Sequence, residues 1–341
     1  MNVLQQLMRS AQPAPAGPAH GLPDARWSPF ELAFWCVPVA VFFLLPDYLV
    51  FGSQVLIVGL FALSLDLVLG YAGIVSLGHA GFFGLGAYTA GLLAAHGWGE
   101  PLTGLAAGAA VAALAGFCVS FLVVRGHDLT RLMVTLGIGL MLYEAANKMA
   151  FLTGGVDGLS GVTMNRVLGA FEFDLQGRTA YVYSLAVLFL VFVFLRRLVR
   201  SPFGLSLRGI QQGPKRMPAI GANVRMRLVA AFTVSAAIAG VAGGLLAQTT
   251  QFVGLDSLGF SRSAELLIML VLGGAGRLYG ALIGAAVFMV AQDVLAGMNP
   301  VYWQFWIGLL LMVIVLFARG GILGGLDTIA KAWRARKAGA A

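Results

Sequence analysis

Apolar residues run along this chain in long blocks rather than in alternation. A helix crossing the hydrocarbon layer needs about 20 mainly apolar residues. Strong candidates lie at 30–50, 54–70, 102–124, 131–152, 179–199, 228–248 and 301–319. Shorter or glycine-broken candidates lie at 79–96, 263–275 and 279–295. The pattern predicts an all-α, polytopic transmembrane bundle of about eight to ten crossings, the lower number if 263–295 forms a re-entrant pair. Barrel strands are excluded, because they alternate in polarity and these runs do not.

Composition agrees. Of 341 residues, 59% are hydrophobic and 11% charged, whereas soluble domains carry about 25% charged residues. One membrane domain at 29–320 is expected, with an Ala/Pro-rich tail at 1–28 and a basic tail at 321–341. The first apolar stretch starts only near Phe30, too late for a secretory signal. Cys36 and Cys118 sit in apolar runs, which excludes a disulfide framework and suggests small packing residues. His20, His79, His96 and His127 have no metal-ligand spacing, and no P-loop occurs. With no nucleophile–base arrangement either, neither an enzyme nor a bound cofactor or metal is expected.

The net charge of +8 does not point to nucleic acid, because the cations flank apolar spans. Arg196, Arg197, Arg200, Arg208, Lys215, Arg216, Arg225 and Arg227 occupy one acid-free stretch. Cytoplasmic loops carry such an excess, so this loop is expected inside. Arg125 and Arg131 mark a second inner turn, and Arg319, Lys331, Arg334, Arg336 and Lys337 place the C-terminus inside too. Ten spans then put both termini in the cytoplasm and the 153–178 loop, with Asp157, Glu172 and Asp174 against Arg166 and Arg178, outside.

Three features bear on function. In the basic loop, Pro202 and Gly204 end the preceding helix, Leu205–Gln212 suits a short helix, and Pro214, Pro218 and Gly221 punctuate the rest. Such a segment reads equally as a docking surface or as a solvated positive-inside loop. Next, Gly70–Gly91 is glycine-rich and holds Ser76, His79, Tyr88 and Thr89. Irregular backbone at membrane depth must be buried in protein or face a cavity, so this segment suits a polar path. His79 is a substrate contact or a structural hydrogen-bonding residue. Last come ionisable residues within spans: Asp66, Glu144, Lys148, Glu265 and Asp293. Glu144 and Lys148 have i,i+4 spacing suited to mutual neutralisation. Asp66 suits either a polar path or a helix–helix hydrogen bond, while Glu265 and Asp293 sit near span ends.

Glycine is abundant at 46 residues. The pairs Gly104/Gly108, Gly240/Gly244 and Gly280/Gly284 permit close helix contact. A weak internal echo relates Leu69-Gly70-Tyr71-Ala72-Gly73 to Leu272-Gly273-Gly274-Ala275-Gly276. Repeats with interrupted helices are common in transporters, and chance explains so short a match equally well.

The glycine-rich segment resembles the signature of LivM/LivH-type permeases, the membrane subunits of branched-chain amino acid ABC importers. Gly70, Gly73, Ser76, Gly78, Ala80, Phe82, Gly86, Ala87 and Tyr88 follow the family spacing. Thr153–Leu159 is similar to the TGGxDGL segment of the LivM branch, and Pro202–Arg208 with Ala219–Asn223 to the family's cytoplasmic loop. Ala239–Gly243 and Leu272–Gly276 follow in family order, so the resemblance covers about 50–320. It implies a type I-like importer fold and helix packing at Gly70, Gly73, Gly240, Gly244, Gly273 and Gly276. It also implies an ATPase-coupling loop containing Gly204, Arg208, Lys215, Arg216, Ala219 and Gly221. The implied partners are a LivH-like second permease, two cytoplasmic ATPases and a periplasmic substrate-binding protein in the bacterial inner membrane. Translocation-path candidates are Asp66, Ser76, His79 and Tyr88. The implied substrate is a branched-chain amino acid or a related small polar or carboxylate solute. One departure is that Gly209–Arg216 lacks the acidic residues usual in the family loop, which suggests dedicated ATPases. The alternative is a secondary transporter driven by an ion gradient, which needs buried carboxylates such as Asp66 and Asp293.

Overall fold

A computed structural model describes residues 29–298 apart from 127, 167–170, 172–173 and 175, together with short pieces of 300–325. The expected tail at 1–28, the tail at 321–341 beyond residue 325, and most of the candidate span 301–319 lie outside the described residues. So do His20, His127, Glu172 and Arg319. The chain divides into a small unit, Met1–Cys36, and a large one, Val37–Ala341, which holds the bundle described below.

The described structure is helical, with an isolated bridge between Leu159 and Val253 and no strand. In chain order the principal helices are α1 (Pro29–Leu44), α2 (Leu49–Asp66), α3 (His79–Ala95), α4 (Pro101–Arg125) and α5 (Asp128–Lys148). They continue with α6 (Arg178–Arg200), α7 (Pro202–Gln212), α8 (Val224–Thr250), α9 (Phe260–Gly273) and α10 (Leu278–Met298). Six stretches are long and apolar enough to cross a membrane: Pro46–Tyr71, Pro101–Arg125, Leu129–Lys148, Arg178–Arg200, Val224–Thr250 and Leu278–Met298.

Two boundaries correct the sequence reading. The block 30–50 is not one helix. It ends at Leu44, a single tight turn follows at Pro46–Tyr48, and α2 begins at Leu49. Pro46 has no N–H to continue the ladder, so the apolar run is cut there. The block 279–295, expected to be short, is a full-length helix. Helices α3 and α9, with 17 and 14 residues, remain short. At 1.5 Å per residue they reach about 25 and 21 Å, less than a hydrocarbon core of about 30 Å.

Helices α2 and α8 form the centre. Of their most apolar stretches, 67% and 72% are buried, against 28% for α4 and α10 and 17% for α5. The outer helices turn large apolar side chains such as Leu114, Leu122, Met133 and Met141 outward, as lipid-facing positions require. Cys36 and Cys118 are also exposed, which corrects their reading as packing residues. Helix α8 packs against α4, α3 and α2, and α2 packs against α10 and α6.

Glycine sets the closest of these contacts. A Cβ on Gly240 would stand 2.5 Å from the Ala112 Cβ and 2.7 Å from the Gly108 oxygen. One on Gly86 would stand 2.4 Å from the Gly240 Cα. Three backbones, from α3, α4 and α8, therefore meet at Gly86, Gly108 and Gly240. The approach serves dispersion contact, which drives helix association where lipid removes the hydrophobic term.

The end of the bundle opposite the basic loop is tied by the Thr153–Leu159 segment. The Thr153 hydroxyl donates to the Ala146 carbonyl at 2.6 Å, and Gly154, Gly155 and Gly158 take positive φ. The chain then pairs Leu159 with Val253, which lies just past the end of α8.

Candidate functional site

The basic loop folds as an arm. Ser201 is extended, Pro202 opens α7, and a Cβ on Gly204 would lie 2.2 Å from the Val199 oxygen, so the turn out of α6 admits only glycine there. Helix α7 buries Gly204, Leu207 and Ile210 at helical spacing. Its other face and the following turn expose Leu205, Lys215, Arg216, Ala219 and Ile220. The turn Met217–Ile220 closes on Gly221, whose φ is +80°. The loop is thus structured, with an amphipathic helix and an exposed face of mixed apolar and cationic character.

The inner side of this arm touches the bundle at the end of α2 and, where the Arg227 guanidinium donates to the Ser206 hydroxyl, at the start of α8. The Arg208 guanidinium lies over the Tyr71 ring, 5.0 Å from its centroid. A Cβ on Gly73 would stand 3.0 Å from the Gln211 side chain. Tyr71 ends a five-residue π-helical turn, Leu67–Tyr71, that continues α2. Such turns are rare and occur frequently at functional sites.

Directly behind Tyr71, the two echoing glycine segments pack against each other. The Asp66 carboxylate is fully buried, and its Oδ1 accepts the Gly276 N–H at 2.7 Å. Its Oδ2 has no hydrogen-bond partner among the described residues. A Cβ on Gly70 would fall 2.2 Å from Asp66 Oδ1 and 2.3 Å from the Gly276 nitrogen. Gly276 takes a φ of +81°, in the turn that joins α9 to α10. Asp66 therefore ties the end of α2 to the α9–α10 turn by accepting a backbone N–H, not to a second helix.

Beyond Tyr71 the chain leaves helical geometry until His79, which opens α3. Neighbours hold this interruption: the Leu77 N–H donates to Thr135 Oγ1 at 3.2 Å, and the Ala80 N–H to Ser263 Oγ at 2.9 Å. Ser76 and His79 are fully buried, and the Ser76 hydroxyl has no partner among the described residues. His79 lies among Phe61, Phe82 and Phe232. Its Nε2 is 3.0 Å from Ser235 Oγ, and that hydroxyl donates to the Ser64 carbonyl at 2.5 Å. A carbonyl only accepts, so the hydroxyl proton is committed to it and His79 Nε2 must carry the donated hydrogen. Ser64 and Ser235 were not singled out from sequence. Small hydroxyl residues in spans carry no distinctive signal until their neighbours are known.

Tyr88, on α3, is buried, and its hydroxyl has no partner among the described residues. It lies within electrostatic reach of Asp256 and Tyr143 at the far end of the bundle. Among the other ionisable residues, Glu144 and Lys148 are exposed and form no ion pair with each other. Glu265 pairs with Arg262 at 3.3 Å, and Asp293 is exposed on α10. No group of three or more possible metal ligands occurs among the described residues.

Comparison with known proteins takes in all of these elements. A family model described as "Branched-chain amino acid transport system / permease component" matches residues 49–316. The high-affinity branched-chain amino acid transport system permease protein LivM of Escherichia coli (strain K12) is 29% identical over 288 residues, 76% of this chain and 66% of that protein. LivM of Salmonella typhimurium is 28% identical over 299 residues, 80% and 69% of the two chains. The E. coli K12 permease protein LivH is 24% identical over 282 residues, 78% and 90%. The chain spans about two thirds of the length of these LivM relatives. No solved structure gives a significant match. The family match runs from the first residue of α2 through the Asp66–Gly276 contact, the arm and the whole of α10, and this multi-pass membrane chain belongs to the branched-chain amino acid transport permease family.

Proposed function

We propose that this chain is one of two membrane subunits of an ATP-driven importer for branched-chain amino acids or a related small polar or carboxylate solute. A LivH-like subunit pairs with it, two ATPases bind the arm, and a periplasmic binding protein delivers the solute. The assembly lies in the bacterial inner membrane with the arm and both termini in the cytoplasm. The chain itself performs no chemistry, and ATP is hydrolysed on the partners.

The observation that carries this reading is the arm's two-sided contact. Its outer face exposes Leu205, Lys215, Arg216, Ala219 and Ile220. Its inner face meets Tyr71 and Gly73, at the foot of the most enclosed helices. A force applied to the outer face therefore reaches the bundle through a short packed contact. The solute route runs along the interface with the second permease, past Asp66, Ser76, His79 and Tyr88. Their enclosure in the single chain means that this route opens when helices move, as alternating access requires.

The arm is tested at Gly221. Among the described residues nothing stands within 4 Å of a Cβ placed there, but the φ of +80° strains any branched residue. Gly221→Val costs about 1–2 kcal/mol in the left-handed region and changes the shape of the arm without disturbing the bundle. Leucine uptake by the complete transporter is expected to fall at least about tenfold, with the membrane level of the chain unchanged. Normal uptake in this variant rules out the docking role. The substrate is tested by a binding screen on the cognate periplasmic protein, with leucine, isoleucine and valine expected to rank first.

A further inference from the structure

Helix α5 is the least apolar of the six long helices and the least enclosed. Its inner face is pinned to the interruption before α3. A Cβ on Gly139 would stand 3.0 Å from the Gly78 Cα, and Thr135 Oγ1 receives the Leu77 N–H. The opposite face carries Met133, Gly137, Met141, Glu144 and Lys148 at helical spacing, all exposed. Met133 and Met141 suit lipid, and their flexible thioethers suit a protein partner as well. Gly137 and Glu144 decide between the two.

Gly137 weakens its own helix relative to alanine. Elsewhere in the six long helices that cost is matched by a close contact. Among the described residues, every glycine there except Gly137 and Gly297, in the last turn of α10, has an atom within 4 Å of its missing Cβ. A glycine at mid-helix with an open outward face lets a second helix approach closely. Glu144 stands four residues before the end of α5, about 6 Å inside it. It faces outward and forms no ion pair among the described residues. A carboxylate there is costly against hydrocarbon. Helix α4, whose outer face is also exposed, holds no ionisable residue between Pro101 and Arg125.

The same charges select the occupant. At the end opposite the arm, α5 adjoins a cleft walled by Leu140, Asp256, Arg262 and Glu265. Glu144 lies one turn beyond Leu140. This side therefore gathers Glu144, Asp256 and Glu265 against Arg262 and Lys148, in a chain whose net charge is +8. A second copy crossing at Gly137 about a two-fold axis normal to the membrane would set Glu144 against Glu144. Resting on the two-subunit reading proposed above, we infer that the Met133–Lys148 face of α5 is where the second, different permease packs. That subunit presents a small residue opposite Gly137 and a cation or N–H donor opposite Glu144. Helix α5 then stands as the wall between the partner and the buried interruption that holds Ser76.

The experiment uses the complete transporter in its membrane, with the photo-crosslinking residue p-benzoylphenylalanine placed at Met141 or, on the outer face of α4, at Leu114. Met141 is expected to give an adduct with the second permease, identified by mass spectrometry, and Leu114 none. Gly137→Leu and Glu144→Leu should each lower recovery of the second permease with this chain about tenfold. The thermal midpoint of the purified chain alone should not fall in either variant, since both positions face outward. An adduct with lipid alone at Met141, or full recovery in both variants, overturns the face and leaves the two-subunit reading standing. A Met141 adduct with a second copy of this chain overturns the choice of occupant. Absence of a second permease from the wild-type complex overturns both the face and that reading.

Discussion

Replacing Gly240 with valine is expected to lower the thermal unfolding midpoint of the chain sharply. The first added carbon already stands 2.5 Å from the Ala112 Cβ and 2.7 Å from the Gly108 oxygen. The second of these atoms is backbone and has no rotamer to yield. Overpacking of a well-filled site costs about 1–3 kcal/mol even where side chains can give way. Here the shift must separate α8 from α4, and Gly86 of α3 rests on the same point. The loss is therefore expected at or above the upper end of that range. The check is the thermal unfolding midpoint of the purified chain in detergent, beside Gly137→Ala. Gly137 lies within α5 with none of the described residues inside 4 Å of its missing Cβ. Its replacement by alanine should gain up to about 1 kcal/mol from helix propensity. Equal midpoints for the two variants would show that the three-helix contact is not what holds the bundle.

The contrast shows what a sequence carries about such a protein. Small-x-x-x-small spacing marked Gly240 with Gly244 and Gly104 with Gly108, because the spacing is local and has a direct packing consequence. The third partner, Gly86, appeared only as part of a motif, since no spacing along the chain says which helices meet. The arm was legible for a similar reason. Pro202 and Gly204 break a helix by local chemistry, and α7 begins and ends within three residues of the segment expected from them. Pro46 had the same information, but the apolar run around it outweighed the proline and concealed the break. The placement of Asp66 was not legible. Its partner, Gly276, lies 210 residues away and contributes a backbone amide, which every residue but proline possesses. The echo between 69–73 and 272–276 was the nearest available signal. It became informative once the two segments were seen in contact.

That contact yields the second large effect. Asp66→Ala is expected to uncouple the transporter, with ATP hydrolysis continuing while leucine uptake falls by more than about tenfold. The substitution leaves the Gly276 N–H buried without its acceptor, a cost of about 1–3 kcal/mol. It also loosens the α9–α10 turn from the end of α2, where Tyr71 takes the Arg208 side chain of the arm. Movement of the arm then no longer reaches α10. Asp66→Asn separates this account from its rival. Asparagine keeps a carbonyl oxygen that can accept the same N–H, so most uptake should survive if the hydrogen bond is what matters. If Asp66 serves as a charge, by binding a proton or cation in transit, asparagine should be as damaging as alanine and uptake should collapse with an uncoupler rather than with ATP depletion. The buried Oδ2, without a partner among the described residues, suits a charge carrier. The bond from Oδ1 to the turn and its continuity with Tyr71 and Arg208 favour the mechanical role, and uptake by the asparagine variant decides between them.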